Sequence, residues 1–167
     1  MRQAAAGDEA CFEALVTPHL EVAFRLAVTM LGDAGAAEDA VQEATFKAWR
    51  HLRRLRPGSL FRPWFLTVVA NECRSQRRSR WWRVLRGLER SEASETADPD
   101  PAGWGLEKAL TSLSSGDRAA VFLRFYEDLS LREVASVLGI SLSAANSRLH
   151  RALRRLRLEL SEEEVRA

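Results

Sequence analysis

Three groups of side chains in this sequence have types and spacings that could do chemistry. The densest lies between Leu131 and Ala152 and runs on into an Arg-rich stretch. Asn146, Ser147, His150 and Arg151 recur at spacings of three and four, so one helical face would present an amide, a hydroxyl, an imidazole and a guanidinium. Asn and Arg can each make paired hydrogen bonds to a base edge in the DNA major groove. Arg148 and Arg154 beside them suit phosphates, which set register without reading sequence; Arg155 and Arg157 can be left to solvent. The segment reads as helix, glycine turn, helix: small Ala135 permits a close crossing, Gly139 makes the turn and Ile140 plugs the corner. That is the pattern of a helix-turn-helix whose second helix enters the major groove by its N-terminal half. A plain helical hairpin inside a bundle is the alternative. The glycine, the caps and the Arg cluster favour DNA.

The second group is Asp39, Gln42, Glu43 and Phe46, at helical spacing within Ala37 to Arg50, with Trp49 close by. Paired carboxylates can hold a metal or move protons. No histidine or third acid joins them at matching spacing, so no metal, cofactor or catalytic residue is expected. Two readings remain: a solvated face beside a core Phe and Trp, or a protein-docking face with Arg-accepting acids and an aromatic anchor. The third group runs from Phe61 to Arg83 and interleaves Phe61, Trp64, Phe65, Trp81 and Trp82 with Arg62, Arg74, Arg77, Arg78 and Arg80. Aromatics beside a positive track suit single-stranded DNA, because bases stack on rings while Arg follows the backbone. Trp64, Phe65 and Val68 are expected mainly in the core. Trp81 and Trp82 either seal the end of the domain or stack on bases. Asn71 shares a face with Arg74 and Arg78, and an amide in an apolar stretch is costly without a partner.

The elements that must position these groups are all helical. Apolar residues from Phe12 to Leu31 recur near helical spacing, with Pro18-His19 as a break or restart. Gly32-Asp33 would end that segment and cap the next, from Ala36 to Leu55. Pro57-Gly58-Ser59 is a loop, and a third helix spans about Arg62 to Arg78 with Pro63 in its first turn. Residues 88–105 are acidic, Pro- and Gly-containing and poor in apolar side chains, which is a linker composition. Helical spacing resumes at Leu106. Ser114 or Ser115 caps a helix carrying Ala119, Ala120, Val121, Leu123 and Phe125; Ser130 and Glu133 have capping-box spacing. Ser141 or Ser143 caps a last helix with Leu149, Ala152, Leu153, Leu156 and Leu160. The expected fold is therefore all-α, in two small helical domains joined by a flexible linker. A three- or four-helix bundle would occupy 1–87, the linker 88–105, a four-helix domain with the helix-turn-helix 106–160, and an acidic tail 161–167.

Composition bounds the possibilities further. The 167 residues carry 25 basic and 23 acidic side chains, a net charge of only +2, and all but Lys47 and Lys108 of the basic ones are Arg. The charge is blocked. Residues 1–49 hold 3 basic and 8 acidic side chains, 50–90 hold 12 and 2, 91–117 hold 1 and 6, 118–158 hold 8 and 3, and 159–167 hold 1 and 4. Two basic zones separated by an acidic one suggest two polyanion contacts. An apolar share of 46% is too high for a disordered chain. Apolar runs fall short of a membrane span, the first residues lack a signal-peptide core, and Cys11 and Cys73 make neither a disulfide framework nor a zinc cluster. A cytoplasmic protein without membrane insertion is expected.

Four segments come in a telling order: Gly32-Asp33, Ala37-Glu38-Asp39-Ala40-Val41-Gln42-Glu43, Phe61…Trp64-Phe65…Val69-Ala70-Asn71, and Ser147-Arg148-Leu149-His150-Arg151-Ala152. With the linker between them, they resemble a bacterial extracytoplasmic-function (ECF) sigma factor over about Phe12 to Leu160. The resemblance implies that Asp39, Gln42, Glu43, Phe46 and Trp49 dock on the clamp helices of the polymerase β′ subunit. It implies that the Arg56 to Phe61 loop and the helix through Asn71 melt the -10 element, with Phe61, Arg62, Trp64, Asn71, Arg74, Arg77 and Arg78 on that surface and a flipped base at Asn71. Asn146, Ser147, Arg148, His150, Arg151 and Arg154 would read the -35 duplex, in a domain that also meets the flap of the β subunit. The linker would thread toward the RNA exit path. An anti-sigma factor clamping both domains is a further implied partner. Many family members carry a basic residue where this chain has Asn146.

The expected function is thus a non-catalytic promoter-specificity subunit that opens DNA without ATP, since the chain holds no P-loop. A stand-alone helix-turn-helix regulator is the rival of the binding class, and the aromatic-basic helix argues against it. A small metal nuclease using Asp39 and Glu43 is the enzymatic rival. A structural adaptor would leave two Arg-rich zones unexplained.

Overall fold

The computed structural model describes residues 1–55, 58–85 and 109–164. The chain divides into two compact units, Met1–Ser94 and Glu95–Ala167, and among the described residues every regular element is a helix. Arg56, Pro57 and the linker expected at 88–105 lie outside the described residues.

The N-terminal unit consists of α1 (Arg2–Ala5), α2 (Glu9–Val16), α3 (Leu20–Leu31), α4 (Ala34–His51) and α5 (Phe61–Leu85), with single 3-10 turns at Thr17–His19 and Leu52–Arg54. Asp8 starts α2 by accepting from the Cys11 amide at 2.9 Å. Pro18, in the first turn of the 3-10 segment, resolves the break-or-restart question as two helices. Gly32 closes α3 in the left-handed region at φ 74°, donating its N–H to Val28 O, and Asp33 then caps α4 through the Ala36 amide at 2.6 Å. Both roles expected of Gly32-Asp33 are filled.

Glu9–Leu31 is 23 residues long and, by length and composition alone, apolar enough to cross a membrane, which departs from the expectation that apolar runs fall short. The 3-10 turn divides it, and Phe12, Val16, Ala23, Leu26, Ala27 and Met30 are buried inside the unit. These are core helices.

Helices α3, α4 and α5 pack on one another around Leu26, Val41, Phe65, Leu66 and Val69. The core face of α5 is Phe61, Phe65, Leu66, Val69, Ala70 and Cys73. Trp64 and Val68, expected in the core, sit one position off this face and are half-buried. Burial pushes the Cys73 thiol up to about 12, so it packs as a small apolar side chain. Helix α5 also continues seven residues beyond Arg78. Apolar periodicity fades there, yet nothing between Ser79 and Leu85 breaks a helix.

The C-terminal unit begins with a helical turn at 109–111 and continues through α6 (Ser115–Val121), a π-helical turn (Phe122–Tyr126), α7 (Leu131–Leu138) and α8 (Leu142–Glu164). Ala109, Leu113, Ala152 and Leu156 form one buried cluster, flanked by Leu110 and Val121. Ser114, not Ser115, caps α6 by accepting from the Asp117 amide, and Ser141, not Ser143, accepts from the Ala144 amide at 3.1 Å. Ser130 and Glu133 form the complete capping box on α7, and Gly139 ends that helix at φ 62°. Half-buried Arg118 turns inward and donates to Thr111 O and Leu113 O.

Two expectations change here. The π turn, marked by the Glu127 N–H bonding Phe122 O, rotates Phe125 and Tyr126 outward to 58% and 61% exposure, so Phe125 does not join the apolar face. On α8 the buried row is Ala145, Leu149, Ala152 and Leu156; Leu153 and Leu160 fall off that row and are exposed. The helix also runs through Ser161 to Glu164, where a tail was expected.

Because Ser130 satisfies the Glu133 amide and Glu133 returns the bond to Ser130, Ser130→Ala should destabilise the C-terminal unit by about 1 kcal/mol. Urea unfolding followed by circular dichroism measures this, and an unchanged midpoint would show that the box contributes nothing.

Candidate nucleic-acid and protein interfaces

On α4, Asp39, Gln42, Glu43 and Phe46 are all exposed, with Phe46 at 55%. The helix buries Ala37, Ala40, Val41, Ala44 and Ala48, and this forces the intervening polar residues outward. The Arg50 guanidinium lies 5.6 Å from the centre of the Phe46 ring and supports it from one side. Trp49 is half-buried and meets Phe12 edge-on at 5.0 Å. Gln42, Glu43, Phe46 and Trp49 border an open groove of about 900 Å³. Its floor is Phe12, Leu20, Phe24, Val41 and Trp49; Glu9, Glu38 and Glu43 stand at its rim. Sequence reasoning found the α4 contribution and missed that of α2 and α3, whose apolar residues look like ordinary core when read along one helix.

Lys47 links this face to α5. Its ammonium donates to the Glu72 carboxylate and lies 3.4 Å from Glu43. The Glu72 bond holds the ammonium above the usual lysine value. Glu72 is only 9% exposed. Neither residue was singled out from sequence, because the partners are 25 positions apart.

On α5, Asn71, Arg77, Arg78 and Arg80 are exposed, while Arg62, Trp64 and Arg74 are half-buried. Trp64, Asn71 and Arg78 follow one another at seven-residue intervals, which keeps them on one stripe of the helix. Asn71 Oδ1 accepts from Arg74 Nη2 at 2.5 Å. Asn71 is therefore not a buried amide in need of rescue; it is a surface amide whose orientation Arg74 sets. Phe61 is 6% exposed, stacked on Phe65 at 5.6 Å and tilted against His19 and Trp64. Its ring supports the start of α5 from within rather than offering a stacking surface. Burial, with the Arg62 charge added, pushes the His19 imidazole below its usual value. Leu60, just before α5, is 69% exposed and was not singled out. The side chains of Trp81 and Trp82 lie outside the described residues.

On α8, Asn146, Ser147, His150, Arg151 and Arg154 are exposed, opposite the buried row of Ala145, Leu149 and Ala152. Arg148 is half-buried, with its guanidinium lying over Gly116 so closely that a Cβ on Gly116 would collide with it. Arg151 pairs with Asp117 at 3.5 Å. Arg155, which could have been left to solvent, donates to Ser112 Oγ at 3.2 Å. The exposed face of α8 thus leans on residues 112–117, where α6 begins, and Gly116 is the sequence signal for it. A half-buried guanidinium folded onto a neighbouring helix can still reach a phosphate by rotating about its stem.

The comparisons with known proteins agree with this two-part layout. The model for sigma-70 region 2 matches residues 15–83, and that for sigma-70 region 4 matches residues 105–156. The ECF RNA polymerase sigma factor SigL of Mycobacterium tuberculosis is 37% identical over 168 residues, covering 95% of this chain and 94% of that protein. Among solved structures, the sigma factor RpoE in complex with the anti-sigma factor NepR from Bartonella quintana aligns with a TM-score of 0.78 at 28% identity, covering 90% of this chain and 96% of that one. CnrH in complex with the cytosolic domain of CnrY aligns with a TM-score of 0.67 at 27% identity, covering 96% and 94%. Two sigma-70 modules in order, each carrying its exposed polar face, make the chain a member of the sigma-70 family in its ECF group, an RNA polymerase sigma factor that initiates transcription with core polymerase on promoter DNA.

Proposed function

We propose that the chain is a non-catalytic, cytoplasmic promoter-specificity subunit in which each exposed face has its own partner. Asp39, Gln42, Glu43, Phe46 and Trp49 dock on the β′ clamp helices. Arg62, Trp64, Asn71, Arg74, Arg77 and Arg78 act on the -10 element, with Phe61 as the packed base of that surface. Asn146, Ser147, Arg148, His150, Arg151 and Arg154 read the -35 duplex, in a unit that also meets the β flap. The observation that carries this reading is the separation of charge within one compact unit: an acidic, aromatic face on α4 and a basic, amide-bearing face on α5.

The mechanism follows from what these groups can do. With Oδ1 held by Arg74, the Asn71 NH₂ is left facing outward, where it can donate to the edge of an unstacked base. The exposed Arg77, Arg78 and Arg80 would follow the backbone leading away from that base. Strand opening then draws on polymerase contacts and base capture rather than on nucleotide hydrolysis. Each unit alone would hold DNA weakly; mounting both on polymerase makes the second contact intramolecular and raises its effective concentration. The metal-nuclease alternative loses ground at Glu43, whose carboxylate already has the Lys47 ammonium at 3.4 Å. RpoE and CnrH are seen with NepR and CnrY. By extension, an anti-sigma factor would silence this chain by covering the same faces.

Run-off transcription with purified core polymerase and a promoter library should yield defined start sites that depend on this protein. A protein that neither co-elutes with core nor directs any start would refute the reading. Asn71→Ala should reduce transcription from duplex promoters about tenfold and from pre-melted ones less than twofold, the loss expected for one hydrogen bond made during opening. Equal loss on both templates would remove Asn71 from the melting step.

A further inference from the structure

The face that α4 buries is smooth: Ala37, Ala40, Ala44 and Ala48 beside Val41. Phe65, Leu66 and Val69 of α5 pack in the same core, and apolar contact with a row of methyl groups is non-directional. Directional bonds then help to fix how far each helix is rotated and slid against the other. Two side chains among the described residues supply them. With its amide turned so that each atom meets a complementary group, Gln76 Nε2 donates to Ala36 O and its Oε1 accepts from Ala40 N, each at 3.2 Å. Lys47 donates to Glu72, a buried carboxylate one residue from Asn71. As residue numbers fall along α4 they rise along α5, so the helices run antiparallel and are pinned at two points.

The Lys47 pin differs from the Gln76 pin in one respect. Its ammonium is shared: Glu72 on α5 takes one side and Glu43, on the exposed α4 face, the other. A cation from a partner that pairs with Glu43 withdraws that carboxylate from Lys47 and leaves Glu72 as its sole acceptor of the two. We infer that Lys47 is a positioning residue that couples docking at Glu43 to the rotational setting of α5, and so to the aim of Asn71 at the unpaired base. The inference rests on the assignment of α4 to docking and α5 to opening. Lys47 itself touches neither DNA nor the reacting strands in this scheme; it acts through Glu72.

The test uses the full-length chain with core polymerase, on one promoter supplied either as duplex or pre-melted over the -10 element. Lys47→Met keeps the stem and removes the charge. It should lower duplex transcription about tenfold while leaving core affinity and pre-melted transcription within about twofold, and Lys47→Arg should recover most of the loss. Glu72→Gln should give the same pattern, and the double variant should be no worse than either single one. A merely structural role is separated by Leu26→Val, a core change in α3 outside both faces, studied at matched thermal stability: it should leave the duplex to pre-melted ratio unchanged. If Leu26→Val shifts that ratio as Lys47→Met does, or if the Lys47 and Glu72 effects simply add, the coupling is wrong. Core affinity and start-site selection of the unsubstituted protein report separately on the function reading.

Discussion

Close approach of α4 to its neighbours depends on Ala37, Ala40, Ala44 and Ala48, none of which exposes any surface. Small side chains let α3 and α5 come near enough for one helix to carry two jobs. Its inward face joins the core of the unit and its outward face, about half a turn away, offers acids and an aromatic ring. Larger residues would push the helices apart at about 1–3 kcal/mol each. They would also break the two polar bridges to α5, whose reach leaves little slack. The spatial relation between the exposed faces of α4 and α5 thus depends on a row of methyl groups, with Gln76 and Lys47 bridging the two helices.

Much of this was legible in the sequence because it is written locally. Asp33, Ser114 and Ser130 announce helix starts within three residues of the amides they satisfy, and Gly32 and Gly139 adopt the left-handed conformation that ends a helix. The helix-turn-helix and the exposed row on α8 follow from the same short-range logic. What escaped was non-local or lacked a periodic signal. The far end of α5 has no apolar rhythm to follow. The π turn at Phe122–Tyr126 shifts the helical phase by a fraction of a turn, so Phe125 counted as inward and lies outward. The aromatic and basic run that starts at Phe61, with the family resemblance, points to a DNA-facing ring. Its neighbours in space are His19, Trp64 and Phe65. Gly116 under Arg148, and Glu72 beside Lys47, are pairings that only the fold brings together.

The charge blocks also take on sharper meaning. Not every Arg in the second basic zone faces outward: Arg118 serves backbone carbonyls of the 111–113 turn, and Arg124 bonds Leu129 O beside the loop that leaves the π turn. The exposed cations of the C-terminal unit concentrate on α8, at Arg151, Arg154, Arg155 and Arg157. In the N-terminal unit Arg77, Arg78 and Arg80 are exposed on α5, while Glu38, Asp39 and Glu43 are exposed on α4, with Arg50 in its last turn. A net charge of +2 is the sum of these opposing surfaces. Such a molecule gains little from long-range attraction to DNA as a whole. Under the proposed function, its affinity for a promoter depends on engaging two basic faces at once.

Equilibrium binding measures that dependence. Fluorescently labelled promoter duplex would be titrated at physiological salt with the protein alone, and with the protein saturated by core polymerase. Binding in the first case should be weak and without sequence preference. In the second it should be tighter by about 100-fold or more, the gain expected when two linked contacts engage together. Equal, sequence-specific affinity in both titrations would contradict that dependence.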